Sequence, residues 1–358
     1  VQPPEQRHAI TSCIEASTVY GSDEDRALAL RTLDGTGRLR TSEGDLLPFN
    51  TDGLPNAGGS DDALFLAGDV RANEQVGLTA LHTLFVREHN RLVDEMRDDA
   101  PGLTGDEVYE EARRIVGAQM QVITYEEFLP LLLGPDAIGP YTGYDPDADA
   151  DLSNVFATVG YRLGHSLLPT TLLRVDETGD ELPEGHLSLR DAFFHPSLLV
   201  EEGGIDPLLR GLALARSQAL DTRVVEDVRS FLFGPPGAGG LDLASLNLQR
   251  GRDHGLPSYA AIREAFGLAR PTAFEDVTSD VTVQQQLDAA YGDVALVDAW
   301  IGALAEESEP DALVGALLRR ILAREFRRLR DGDRYWYERM FSGERLAAIR
   351  GTVSYTHL

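Results

Sequence analysis

Apolar side chains along this chain recur mostly at helical intervals. In LTALHTLFVREHNRLVDEM, Leu78, Leu81, Phe85 and Leu92 follow the spacing that places them on one face of a helix. Thr104 and Glu107 fit a capping box that opens a helix through EVYEEARRIVGAQMQVITYEEF. NVFATVGYRLGHSLLP (154–169) is predicted as an apolar helix. Asp311 is predicted to open a longer one, ALVGALLRRILAREFRRL, which ends at the Asp331-Gly332 turn. Strand-like alternation is nearly absent. Residues 44–62, 134–151 and 234–240 are rich in Gly, Pro, Asn or Asp and are predicted as loops. No repeat and no composition shift divides the chain. The pattern predicts a single all-α domain over residues 1–358, mostly helical with long loops and little β; loops this long in a compact domain are usually functional.

Charge narrows the classes of partner. The chain carries 59 acidic residues against 32 basic ones, a net −27, and every basic residue is arginine. Such a surface repels phosphate backbones and anionic lipid, which argues against nucleic acid as a partner. The all-arginine set is explained by genomic base composition, and the acidic surface would suit a high-salt habitat. No apolar run approaches the roughly 18 residues of a membrane span. The lone cysteine, Cys13, excludes an internal disulfide framework and any cysteine-rich metal site within the chain.

Candidate chemistry rests on eight histidines. His82 and His89 share a helix face two turns apart, too far to hold one metal, and read as packed or surface residues. His186 and His195 lie in loop-like sequence and read as structural or solvated. His254, before Gly255 and Pro257, reads as a helix C-cap, where an imidazolium is favoured. His165 sits in an apolar segment with one arginine, Arg162, three residues earlier. A lone histidine there is by default a satisfied core residue. Haem ligation would need a second group to orient the ring and cations for two propionates.

Seven blocks stand out in order: TSCIEASTVYGS (11–22), LFLAGDVRANEQVGLTALHTLFVREHNRL (64–92), YEEARRIVGAQMQVITYEEFLPLLLG (109–134), NVFATVGYRLGHSLLP (154–169), EEGGIDPLLRGL (201–212), LDLASLNLQRGRDHGLPSY (241–259) and FRRLRDGDRYWYE (326–338). Together they resemble the animal haem peroxidase family, of the myeloperoxidase and peroxidasin type within the peroxidase–cyclooxygenase superfamily. The resemblance implies haem b, with His165 as the proximal iron ligand through Nε2. Asn247 would accept the hydrogen bond from Nδ1, and Arg162 and Arg250 would meet the propionates. Arg71, in GDVRANE, would be the catalytic distal arginine, stabilising the hydroperoxide anion and the departing hydroxide. Glu74, one helical turn on, would form an ester with a haem methyl. Gln75 stands where some members carry a methionine that makes a sulfonium bond, so that bond is impossible here. Thr11, Cys13, Glu15 and Ser17 match a calcium loop of oxygen ligands. Glu15 stands where the family usually has Asp, and the plainer alternative is a Thr/Ser-rich helix start.

The chain also departs from the pattern. The family's distal histidine, a nearby glutamine, a second ester carboxylate and a calcium-ligating aspartate lie well upstream of the TSCIEAS block. That histidine is the base that moves the peroxide proton. The chain is therefore expected to be a bacterial-looking member truncated upstream and impaired as it stands. The tail GTVSYTHL also departs from the family, so the C-terminal end is expected to be incomplete or foreign. The resemblance implies a secreted peroxidase that uses hydrogen peroxide and a small donor: a halide, thiocyanate or a phenol.

Two alternatives remain. A fatty-acid dioxygenase of the same superfamily would carry a radical-forming tyrosine three residues before the proximal histidine, where this chain has Arg162; Tyr161 is one residue further away. A non-catalytic adhesion or matrix module would keep the fold without turnover. The sequence upstream of Val1 separates enzyme from module: a helix with a histidine beside an aspartate favours the enzyme.

Overall fold

At Thr104 the expected capping box forms: its hydroxyl accepts from the Glu107 N–H at 3.3 Å, and Glu107 accepts from the Thr104 N–H at 2.8 Å. These bonds satisfy donors that a helix start leaves unpaired. The α-helix runs Gly105–Val122, and the next six residues, Ile123–Phe128, wind as π-helix. These are features of a computed structural model that describes residues 10–234 and 240–354. Helices dominate it, as the apolar spacing predicts. Among the described residues the regular strands are Thr171–Leu172 and Leu187–Ser188, paired antiparallel.

Contacts group the chain into two compact units, each drawn from three stretches of sequence. One comprises residues 14–123, 170–216 and 341–354. Its long helix, Val76–Asp99, packs against Gly105–Val122 and Asp206–Leu214. Of the expected face, Leu92 lies in the core and Phe85 packs against it, but Leu81 is 42% exposed; Val76, Ala80, Val86 and Val93 join that core with Leu47, Phe65 and Val116. Gly37 is needed where the loop meets the Gly105–Val122 helix. Its φ is +89°, and a Cβ there would lie 2.6 Å from the Gly105 carbonyl oxygen.

The other unit comprises residues 10–13, 124–169 and 217–340, less 235–239. Its organising helix is Ala316–Asp331. The C-terminal end falls at the predicted turn, but the start does not: Asp311 has a φ of +63° and lies in a turn five residues before the helix. A residue in that left-handed conformation cannot take the extended backbone of an N-cap. Two contacts dock the histidine-bearing segment on this helix. Glu325, buried, accepts from the N–H and hydroxyl of Ser153 at 2.6 and 2.9 Å. Gly160 lies so close to Ile321 that a Cβ would meet its Cγ2 at 2.7 Å.

Candidate functional site

The stretch predicted as one apolar helix is two pieces. Ser153 caps a short α-helix, Asn154–Thr158, and after Val159 the chain tightens into a 3-10 segment, Gly160–Ser166, with a kink at Tyr161. Short 3-10 pieces often mark places where a helix has been re-aimed. Here the close approach of Ile321 to Gly160 accompanies the change. His165 sits near the end of this segment.

Asn247 comes from the Leu243–Asp253 helix. Asp242 caps that helix, accepting from the Ala244 and Ser245 N–H groups at 2.9 and 3.1 Å, worth about 1 kcal/mol. At its other end His254 is the C-cap, as its sequence context predicts. His254 Nδ1 lies 2.7 Å from Asn154 Oδ1, and Asn154 donates from Nδ2 to the His254 carbonyl at 3.1 Å. This pair fixes the start of the histidine segment to the end of the Asn247 helix. The expected imidazolium is not favoured, however. Partial burial and the guanidinium charges of Arg250 and Arg162 hold His254 below its ordinary pKa, outweighing Asp253.

Between these clamps, His165 Nδ1 lies 2.7 Å from Asn247 Nδ2, and Asn247 is 1% exposed. Asn247 Oδ1 accepts from Arg250 at 3.3 Å. In this sense the amide donates to Nδ1 and the ring hydrogen sits on Nε2, opposite to the expected direction. Arg250 is the physical reason: its guanidinium can only donate, so it draws the amide oxygen to itself. A half-turn of the amide places Oδ1 against Nδ1–H, leaves a lone pair on Nε2 and releases Arg250. Oxygen and nitrogen of a carboxamide have nearly the same shape, so the cavity accepts both senses.

Nε2 of His165 makes no hydrogen bond among the described residues. Burial first, then Arg162 and Arg250, lower the ring's pKa to about 4, so it is neutral at physiological pH. Trp300 meets the ring edge-on at 6.5 Å and donates from Nε1 to the Arg162 carbonyl at 3.3 Å. Arg162 Nε in turn donates to the Ala157 carbonyl at 2.9 Å. A neutral ring held by one nitrogen, with two guanidinium groups beside it, fits the requirements of a haem ligand and its propionate partners.

Arg71 and Glu74 belong to the other unit, and there the expectation of a shared helix face fails. Residues 71–75 form turns, and the helix starts only at Val76, with Gln75 as its N-cap. The Gln75 side chain accepts from the Gly77 N–H, which fixes the start at that point. Arg71 is gripped in a fork by Asp69, Nε at 2.9 Å and an Nη at 2.6 Å, and not by Glu74. Burial raises Asp69, but the bonds from Arg71 outweigh it and hold the carboxyl below its ordinary range. Burial raises the Glu74 carboxyl above its ordinary value, against the pull of Arg71. Asp69 was not singled out from the sequence. Its signal is an Asp two residues before Arg71, whose side chain also accepts from the Arg71 N–H at 2.8 Å.

In the Thr11–Ser17 stretch, Thr11 Oγ1 accepts from the Cys13 N–H at 3.1 Å. Glu15 is paired with Arg113 at 3.3 Å, and the Ser17 carbonyl accepts from Gly21 at 2.8 Å. Among the described residues no group of three or more His, Cys, Asp or Glu is placed to hold a metal ion. Among the described residues, the other histidines have the structural settings expected of them. His82 Nδ1 bonds the Thr18 carbonyl at 3.0 Å, His186 accepts from the Arg174 N–H at 3.2 Å, and His195 bonds the Asp191 carbonyl at 2.9 Å.

The animal haem peroxidase family matches residues 1–358, and the chain belongs to it. The mouse peroxidasin homolog is 42% identical over 377 aligned residues, covering 98% of this chain and 25% of that protein. Pig thyroid peroxidase is 42% identical over 359, covering 94% of this chain and 39% of its own length. The chain thus spans about a quarter of the peroxidasins it matches. Among solved structures, peroxidase A from Dictyostelium discoideum superposes with a TM-score of 0.86 at 36% identity, over 94% of this chain and 65% of that one. An Oryza sativa fatty acid alpha-dioxygenase shares the fold at 23% identity, with a TM-score of 0.80.

Proposed function

We propose that the chain is the haem-binding part of a peroxidase that reduces hydrogen peroxide and oxidises a small donor: a halide, thiocyanate or a phenol. One observation carries this reading. His165 is neutral, bonded at Nδ1 by a buried amide and left without a hydrogen bond at Nε2, beside Arg162 and Arg250. When bound, haem supplies the iron redox chemistry that cleaves peroxide. The chain's own residues do the rest. His165 offers Nε2 to the iron once Asn247 presents its oxygen to Nδ1–H. The same turn frees Arg250, which with Arg162 balances the propionate charge.

Arg71 stabilises the anion of hydrogen peroxide. Asp69 fixes the plane of its guanidinium and leaves the second Nη as the outward donor. Glu74, whose carboxyl burial holds above its ordinary value, is the candidate for an ester to haem. A calcium ion held by Thr11, Cys13, Glu15 and Ser17 belongs to the same reading and requires Glu15 to leave Arg113. So do a single peroxidase domain over residues 1–358 and a location outside the cell. Among the described residues no helix is long and apolar enough to cross a membrane. The dioxygenase alternative is less well supported: Arg162 occupies the radical-tyrosine position, and Tyr161 stacks on Phe156 at 5.1 Å.

The test is a haem titration of the full chain, followed by absorbance and peroxide consumption. Saturation at one haem per chain with a Soret band is expected. Absence of a Soret band at saturating haem removes the proposal.

A further inference from the structure

The chain carries 59 acidic residues against 32 arginines. Four of them, Arg319, Arg320, Arg324 and Arg327, line one groove of about 550 Å³ along the Ala316–Asp331 helix. None forms an ion pair with a carboxylate among the described residues. Elsewhere on the same helix, Arg328 pairs with Glu325 and Asp149, and Arg330 with Asp331. The groove contains a single acid, Glu309, against the four guanidinium groups.

The groove is built rather than incidental. Ala316 and Ala323 supply the depth between the arginine arms, because side chains three and four apart share a helix face. Two of the arms are held in place. Arg319 donates from Nε to the Leu133 carbonyl at 2.7 Å, and Arg327 donates to the Ile138 and Ala137 carbonyls at 2.9 and 3.0 Å. The other two are exposed, and Arg324 lies over the Phe266 ring at 5.6 Å. Phe266 with Leu268 forms an apolar wall opposite the charges.

We infer that this groove binds a small organic polyanion, a molecule with two or more phosphate or carboxylate groups on an apolar body. Guanidinium forks match both anion types in a planar, two-pronged geometry. Pre-positioned arms reduce the ordering cost of binding. The volume lies in the range usual for small-ligand sites, about 300–1,000 Å³. Nothing in this inference depends on haem.

The test is calorimetric titration of the full chain, at low ionic strength and without added metal, with adenosine triphosphate and with citrate. Saturable binding is expected for at least one probe, weakened by added salt as screening requires. The double variant Arg320→Gln, Arg324→Gln should lose at least about tenfold in affinity while keeping its circular dichroism and its haem titration. Tighter binding of the triphosphate assigns the phosphate class, and tighter binding of citrate the carboxylate class. No saturable heat with either probe, or undiminished binding in the folded double variant, overturns the inference.

Discussion

His89 and His165 are both withdrawn from water, and burial lowers both to a pKa of about 4, yet their surroundings differ in one respect that decides their use. His89 is fully buried with both ring nitrogens engaged: Nε2 faces the Gly37 carbonyl at 3.0 Å and Nδ1 faces the Tyr20 hydroxyl at 2.9 Å. A carbonyl can only accept, so the ring hydrogen is on Nε2 and Tyr20 donates to Nδ1. Tyr20 and Tyr109 also enclose the ring edge-on at 5.3 Å each. His165 has one nitrogen engaged, by an amide that can face it either way, and the other makes no bond. A lowered pKa therefore does not by itself distinguish a structural histidine from a ligand. What separates His165 from His89 is its unbonded Nε2 beside Arg162 and Arg250.

The contrast can be broken in order of expected effect. His165→Ala should abolish the Soret band, a loss of more than about a hundredfold in haem affinity, with the fold retained by circular dichroism; an unchanged spectrum would falsify the ligand assignment. His89→Ala should leave the haem spectrum intact but cost about 3 kcal/mol of unfolding free energy, by removing a packed ring and orphaning its partners. Urea unfolding of the variant reads this directly. Asn247→Ala should weaken haem binding roughly 10–100-fold. Asn247→Asp, whose oxygens can only accept, should keep it, because that variant enforces the bond direction that frees Nε2. Equal losses in both variants would mean the amide only fills space. Tyr20→Phe is the mildest change and should cost about 1 kcal/mol.

The shared feature of the two sites gives a pH dependence. Both rings bind a proton less readily folded than unfolded, where the pKa is 6.5, so the unfolded state gains protons first as pH falls. Their contribution is complete above pH 6.5 and is lost progressively down to about pH 4. Thermal unfolding across that window should show the loss, and His89→Gln should flatten it. An equally steep profile in that variant would remove His89 from the account.

Some of this was legible in the residues. The Thr104–Glu107 box needs only neighbours three apart, so its helix start is written locally. His254 as a cap and the near absence of strands were legible for the same reason. The ordered blocks carry His165 and Asn247 as a pair, and the structure brings their side chains within hydrogen-bonding distance. The local chain does not specify what approaches from elsewhere. Ile321 against Gly160 accompanies the 3-10 winding of the histidine segment, and the packing of Val76–Asp99 leaves Leu81 facing outward. Arg250 sets the sense of the Asn247 amide, and the arginine charges suppress the imidazolium that a helix end alone would favour at His254. Backbone hydrogen bonds and caps depend on separations of a few residues, so sequence alone determined them. Desolvation, close approach and the direction of a buried hydrogen bond depend on groups distant in sequence, so only the tertiary structure decided them.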